Sequence, residues 1–307
     1  MGGATGRLAD MEMAIPDDEI GAHVSVAGGT FNAPGRAADI GARVIQIFTK
    51  QPNRWAERDV PADEASAFRT ASRAAGITHA AAHDSYLINL ASPDDALFHR
   101  SLESFTAEVA RCEALGLDFL VSHPGNATDG DPVRGLRQNA RAITGALDSV
   151  PGRVRVLLEG TAGSGTALGS RFEELGELLR RIGERHPDRV GICLDTCHLW
   201  AAGYDLRALD DVLAAFDRAA GLRHLHFLHL NDSATPFGSR RDRHAGIAEG
   251  SIGDEPFRLL MRHPDLRRVP KVIETPKGDD PVAADRANLA RLRGYRSSKK
   301  GQKTGKH

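Results

Sequence analysis

The strongest constraint in this chain is a rhythm. Eight short apolar, strand-like runs recur along it, at about residues 20–26, 43–49, 78–84, 119–123, 154–159, 190–195, 225–230 and 271–275. Most of the longer stretches between them have helical periodicity. Phe105, Val109, Cys112 and Leu115 recur at three- and four-residue steps before Gly116 ends the helix. Phe172, Leu175, Leu178 and Leu179 repeat the pattern, and residues 206–220 supply a third case. This repeated alternation predicts an α/β fold whose parallel strands close into a TIM (β/α)8 barrel. Such a barrel takes roughly 250 residues, and the chain has 307. A doubly wound open sheet would carry a glycine-rich phosphate loop after its first strand. Ala27, Gly28, Gly29 and Thr30 do not form that fingerprint.

The barrel is expected over residues 19–295 as a single catalytic domain, with no linker dividing it. Residues 1–18 read as a flexible extension, acidic through Asp10, Glu12, Asp17 and Asp18. Residues 296–307 read as a basic, disordered tail. The basic run begins earlier, with Arg291, Arg293 and Arg296, and continues through Lys299, Lys300, Lys303 and Lys306 without an acid. It reads either as a solubilising tail or as a weak electrostatic assist to binding a polyanion. A net charge of -1 with 26% charged residues excludes a globally basic coat but leaves a local basic surface open. Aromatics are only 5% of the chain, so the core must rest on Ala, Leu, Val and Ile. Cys112, Cys193 and Cys197 are too sparse for a disulfide framework and point to a reducing cytoplasm. No apolar stretch approaches the ~20 residues of a membrane span. The N-terminus lacks the apolar core of a secretory signal.

The strand ends share one property. The third ends in His83 and Asp84, the fourth in His123, the fifth in Glu159 and the sixth in Asp195, with His198 close behind. The seventh ends in His229, followed by Asn231 and Asp232, and the eighth ends in Glu274. A loop after the seventh adds Asp242 and His244. In a TIM barrel these ends build the active site, and side chains alternate between the interior and the helix layer. If His229 points inward, Phe227 and Leu225 do too, while His224 and His226 face the helices. By the same parity His123 shares a face with Val121 and Phe119, and Asp195 with Cys193 and Gly191.

Four carboxylates at one mouth repel one another unless cations lie between them. A mixed nitrogen and oxygen donor set suits zinc, with manganese or iron as alternatives. Three divalent ions would outweigh the carboxylates and leave the site cationic, as an anionic phosphodiester requires. Cys193 and Cys197 read as packing and loop residues rather than ligands. His79, His99 and His186 read as bystanders; His79 shares the parity of His83 but lies about 13 Å deeper along the strand.

At these residues the sequence resembles the endonuclease IV family of abasic-site endonucleases. The matching runs are Gly21-Ala-His-Val-Ser25, His83-Asp-Ser-Tyr-Leu-Ile-Asn89, His123-Pro-Gly125, Thr161-Ala-Gly163, Asp195-Thr-Cys-His198, Ala202-Gly-Tyr-Asp-Leu206, His229-Leu-Asn-Asp232, Phe237-Gly-Ser-Arg240, Asp242-Arg-His244, Glu249-Gly250 and Ile273-Glu-Thr275. They occur in the family's order over about residues 20–295. The resemblance implies three zinc ions. His83, His123 and Glu159 hold one; Glu159, Asp195, His229 and Glu274 a second, with Glu159 bridging; His198, Asp242 and His244 a third. It implies hydrolysis of the phosphodiester 5′ to an abasic site, leaving a 3′-hydroxyl and a 5′-deoxyribose phosphate, together with trimming of blocked 3′ ends. The catalytic residues expected on this resemblance are Glu159 and Glu274, the latter to orient the attacking water or take its proton. The implied partner is duplex DNA carrying such lesions. The resemblance assigns Tyr86 and Leu87 a wedge role, and Arg54, Asn231 and Arg240 are expected as further DNA contacts. No exposed apolar stripe demands a second subunit, so a monomer is expected.

The family usually has Asn after the fifth-strand Glu, where this chain has Gly160. It usually has Arg two residues before the Trp that follows strand two, where this chain has Asn53, with Arg54 next. The rival expectation is a sugar isomerase or epimerase on a related barrel. It needs fewer ions and gives no role to His198, Asp242 and His244.

Overall fold

All eight apolar runs become strands, most of them trimmed at the ends. The computed structural model describes residues 18–296; residues 1–17 and 297–307, which hold most of the expected acidic extension and basic tail, lie outside them. In chain order the elements are β1 (Ile20–His23), α1 (Ala33–Asp39), β2 (Val44–Phe48), α2 (Ala62–Ala74), β3 (His79–His83), α3 (Asp95–Leu115), β4 (Phe119–Ser122) and α4 (Pro132–Ser149). There follow β5 (Arg155–Glu159), α5 (Phe172–Gly183), β6 (Val190–Asp195), α6 (Thr196–Ala202), α7 (Leu209–Ala220) and β7 (Leu225–His229). A short ribbon, β8 (Asp232–Ser233) with β9 (His244–Ala245), precedes α8 (Asp254–Arg262), β10 (Lys271–Ile273) and α9 (Pro281–Arg296). The barrel closes in the order β1-β10-β7-β6-β5-β4-β3-β2, and every pairing in it is parallel.

Local chemistry sets the helix ends. Asp94 caps α3 by accepting from Leu97 N at 2.7 Å, and Gly116 ends it at φ 75°, with its N–H turned back to Cys112 O and Glu113 O. Asp131 caps α4 in the same way, with Pro132 in the first turn.

The barrel interior is filled by alternate strand residues. Val44, Ala81, Phe119, Val121, Leu157, Cys193, Phe227 and Val272 form an inner apolar cluster, separate from the larger core between strands and helices. Two residues beyond these positions, on seven of the strands, stand Gln46, His83, His123, Glu159, Asp195, His229 and Glu274. Strand parity thus turns an apolar floor into a polar layer above it.

The expected parity fails at the base of β7. Ile192 pairs with Leu225 but Cys193 pairs with Phe227, so His226 is the extra residue of a β-bulge. Leu225 therefore packs in the outer core, not in the interior. The His226 ring stacks on interior Phe119, with centroids 6.5 Å apart, instead of facing the helices. Gly191 makes room for it, since a Cβ there would come within 2.3 Å of the His226 ring.

The domain edges also need correction. Asp18, placed in the flexible extension by sequence, is 4% exposed, and its Oδ2 accepts from Arg293 Nε at 2.8 Å. Arg296, the first residue of the expected tail, is the last residue of α9. Among the described residues, no helix is long and apolar enough to cross a membrane.

A charged network anchors the β2–α2 loop to α3. Arg111, 4% exposed, contacts Thr49 Oγ1 at 2.8 Å, Glu57 Oε2 at 2.6 Å and Glu108 Oε1 at 2.9 Å; Glu108 also bonds Thr49. Lys50 Nζ donates to Glu57 at 2.7 Å and to Arg54 O at 3.1 Å. Removing one partner of a buried pair strands the other charge. Arg111→Met is therefore expected to lower unfolding stability by about 3–5 kcal/mol. Glu108→Leu added to Arg111→Met should restore most of it, as measured by urea denaturation. A double variant no more stable than the single one would show that Glu108 is not the stranded charge.

Candidate metal centre

The polar layer opens into a cavity of about 310 Å³ at the C-terminal mouth of the barrel. His83, His123, Glu159, His198, Asp242, His244 and Glu274 line it, with His23, Phe48, Tyr86 and Lys277. Glu159 lies at its centre and is 1% exposed. Its Oε2 is 3.1 Å from His83 Nε2 and 3.0 Å from His123 Nε2, and its Oε1 is 2.9 Å from His229 Nδ1 and 3.4 Å from His198 Nδ1. Glu274 Oε2 approaches His229 Nδ1 at 3.2 Å. Asp242 lies 3.2 Å from Nε2 of both His198 and His244, and Asp195 Oδ2 is 3.5 Å from His244 Nε2.

These donors fall into three sets that could each hold an ion. In His83, His123 and Glu159; in Glu159, Asp195, His229 and Glu274; and in His198, Asp242 and His244, the donor atoms all lie within 4.8 Å of one another. All nine residues singled out from sequence are thus brought together, with Glu159 shared by two sets.

The outward hydrogen bonds test whether such a centre fits a metal. His83 Nδ1 lies 3.0 Å from Asp84 O, His198 Nδ1 2.8 Å from Gly160 O, His244 Nδ1 3.2 Å from Glu274 O, and His229 Nε2 2.8 Å from Gln46 Oε1. Each acceptor takes one ring proton and leaves the other nitrogen turned into the cluster, the arrangement a metal-binding imidazole requires. Nε2 of His244 is buried without a hydrogen-bond partner although Asp242 is close. The residues fit a divalent ion in all three sets.

Electrostatics agrees. Burial disfavours a charged His83, but its bond to Glu159 and the nearby carboxylates outweigh that and lift its pKa to about 10. His244 rises to about 9, against burial, through Asp195, Asp242 and Glu274. Burial would raise Glu159 and Glu274, yet the surrounding imidazoles hold both well below the usual carboxylate range. The site is built to concentrate negative charge that positive charge must balance.

Local folding explains two spacings. Asp195 is the N-cap of α6, accepting from His198 N at 3.0 Å, so the run Asp195-Thr-Cys-His198 places both side chains at one helix start. Asp232, fully buried, accepts from the backbone N–H groups of Ser233 at 2.7 Å, Ile252 at 2.9 Å and Gly253 at 3.3 Å. It thereby anchors the loop that carries Asp242 and His244.

The residues expected at DNA divide. Tyr86 stands on the rim, 64% exposed, its ring edge-on to Phe48 at 5.4 Å; Leu87 beside it is half-buried. Arg54 and Arg240 are exposed, the latter in left-handed backbone at φ 54°. Asn231 does not belong with them. It is fully buried, its Nδ2 donates to Asp195 Oδ2 at 2.7 Å, and its Oδ1 accepts from Glu274 N at 2.7 Å. It holds donors in place and cannot reach a duplex. At Gly160 the backbone carbonyl orients His198 and needs no side chain to do so.

Sequence reasoning missed His23, Gln46 and Lys277. His23 was visible within Gly21-Ala-His-Val-Ser25 but was given no role; burial lowers its pKa despite neighbouring Glu274. Gln46 carried the inward parity of β2, a polar residue amid an apolar run. Lys277 lines the mouth and pairs with Asp285 at 2.5 Å. The thiols of Cys193 and Cys197 lie within 4.8 Å of donor atoms of Glu159 and His229, and of Asp195 and His244, respectively. Burial pushes both thiols up to about 12.

Residues 34–295 match the family described as xylose isomerase-like TIM barrel, which defines the class of this fold and site. A Chloroflexus aggregans protein described as "Probable endonuclease 4" is 46% identical over 277 residues, covering 89% of this chain and 96% of that protein. The crystal structure of endonuclease IV from Thermus thermophilus superposes with a TM-score of 0.79 at 36% identity, covering 90% of this chain and 98% of that one. The chain belongs to the endonuclease IV (endonuclease 4) family. An L-ribulose 3-epimerase structure has a TM-score of 0.65 at 15% identity over 92% of this chain and 99% of that one, a likeness of fold alone.

The placement of the histidines yields a test. His79, whose Nδ1 is 3.2 Å from Glu19, stacks on Phe119 at the far end of the barrel, and His224 and His226 lie near the same end. Gln at each of these three positions should leave bound metal unchanged. Gln at His83, His123, His198 or His229 should each reduce it, as read by metal analysis after dialysis. Equal retention in the two groups would sink the assignment of donors.

Proposed function

We propose that this protein is a zinc-dependent abasic-site endonuclease that hydrolyses the phosphodiester 5′ to an abasic site in duplex DNA. The observation that carries this reading, beyond membership of the family, is the third donor set. His198, Asp242 and His244 make a cluster beyond the pair that share Glu159, and a sugar isomerase has no evident use for it. The reading assigns three zinc ions to the three sets, and the same centre would trim blocked 3′ ends. Bound there, zinc would supply Lewis-acid polarisation of the phosphate and a water acidic enough to react near neutral pH.

This chain's own residues supply the rest. The water oxygen attacks phosphorus, the bond from phosphorus to the 3′-oxygen breaks, and the products are a 3′-hydroxyl and a 5′-deoxyribose phosphate. Glu274, 19% exposed at the mouth and held by Gln46 at 2.6 Å, is the group assigned to take the water's proton. Glu159 ties two donor sets together. Tyr86 and Leu87 are assigned to the gap left by the missing base, because opening an unpaired site costs less than unstacking a normal pair. Arg54 and Arg240 are assigned to the DNA backbone. The three cysteines are free and buried, which supports a reducing compartment. A monomer remains the proposed state.

Purified protein should contain about three ions per chain, with zinc dominant. Glu159→Ala should lose about two of them and His244→Ala about one, by metal analysis. Full activity with a single bound ion would overturn the trinuclear reading. A duplex with one abasic analogue should be incised, and a ketose–aldose interconversion assay should stay silent; the reverse result would favour the isomerase. Tyr86→Ala with Leu87→Ala should slow abasic-duplex incision at least tenfold more than release of a 3′-phosphate from a nick. Equal slowing would mean that these residues support the site rather than read the lesion.

A further inference from the structure

Gln46 is a fully buried amide at the centre of β2, and its neighbours are the donors themselves. Its Oε1 lies 2.8 Å from His229 Nε2; its Nε2 lies 2.6 Å from Glu274 Oε1 and 3.1 Å from His23 Nδ1. Only this orientation of the amide satisfies all three neighbours. A flip would turn its oxygen on the Glu274 carboxylate and remove the acceptor for His229. As placed, Oε1 accepts the ring proton of His229, whose Nδ1 then faces Glu159 Oε1 at 2.9 Å and Glu274 Oε2 at 3.2 Å. The two amide hydrogens go to Glu274 and His23.

We infer that Gln46 is a positioning residue for the donor set Glu159, Asp195, His229 and Glu274, fixing the tautomer of His229 and the rotation of Glu274 with one side chain. The inference rests on the reading that a metal ion sits among these four. The other outward partners strengthen it. His83, His198 and His244 are oriented by backbone carbonyls of Asp84, Gly160 and Glu274, which no side-chain replacement removes. His229 depends on an exchangeable side chain. A lost partner of this kind weakens metal binding by about 10–100-fold.

The test uses the full zinc-loaded chain titrated against a chelator, with thermal unfolding recorded alongside. Gln46→Met keeps the side-chain length and deletes the amide. It should bind one zinc of three about 10–100-fold more weakly and leave the other two near wild type. Ile47→Ala is the control, since Ile47 is fully buried in the outer core on the opposite face of the same strand. It should lower the unfolding temperature without changing zinc affinity. Should Gln46→Met fail to fold, 1H–15N NMR of the wild-type holoprotein decides: the ring proton of His229 is expected on Nε2 and protected from exchange, and a proton on Nδ1 overturns the inference. Wild-type zinc affinity in Gln46→Met, or zinc loss that follows unfolding temperature equally in both variants, also overturns it while leaving the metal reading intact. A wild-type protein that binds no zinc overturns both.

Discussion

A carboxylate buried at the axis of a barrel sets the terms for everything around it. Glu159 is 1% exposed, and four imidazole nitrogens lie within 3.4 Å of its oxygens. A lone buried anion is expensive, so the structure surrounds it with groups that are cationic or able to hold cations. Neutral acceptors orient several of the site's histidines. The chain provides backbone carbonyls for three of the site's histidines and Gln46 for His229. Asn231 restrains Asp195 and the backbone of Glu274 from another side. The centre is therefore held by a shell of neutral hydrogen bonds, not by its own charges alone.

The barrel makes such a shell easy to build. Neighbouring strands in register and pleated in phase present successive layers of side chains to one axis. The apolar layer excludes water from below, and the donor layer sits two residues higher, where water and substrate arrive. The third donor set comes from elsewhere: one residue from the start of α6 and two from a loop tied down by Asp232. The charged network of Lys50, Glu57, Glu108 and Arg111 does similar work on the opposite rim, fixing the loop that carries Asn53 and Arg54. These rim loops are thereby mounted on ordered supports.

The sequence by itself determined the eight strands, their parallel closure and the gathering of nine His, Asp and Glu side chains at one mouth, because periodicity and strand-end chemistry are local properties. It placed Tyr86 three residues beyond the end of β3, and the structure leaves that residue exposed on the rim. What only the tertiary structure decided was which polar residues support and which face solvent. Asn231 lies in a family-like run and looks like a contact, yet it is walled in by β6 and β10, strands distant in sequence. Asp18 looks like part of a tail, yet α9 returns to bury it. The bulge at His226 breaks the alternation at the base of β7, so Leu225 leaves the interior that Phe227 keeps, because register belongs to a strand pair and not to one strand. Gln46 meets Glu274 and His229 across most of the chain's length, and no spacing rule links residues so far apart. Charge and hydrophobicity are written along the chain, whereas the second partner of each hydrogen bond exists only once the barrel has closed.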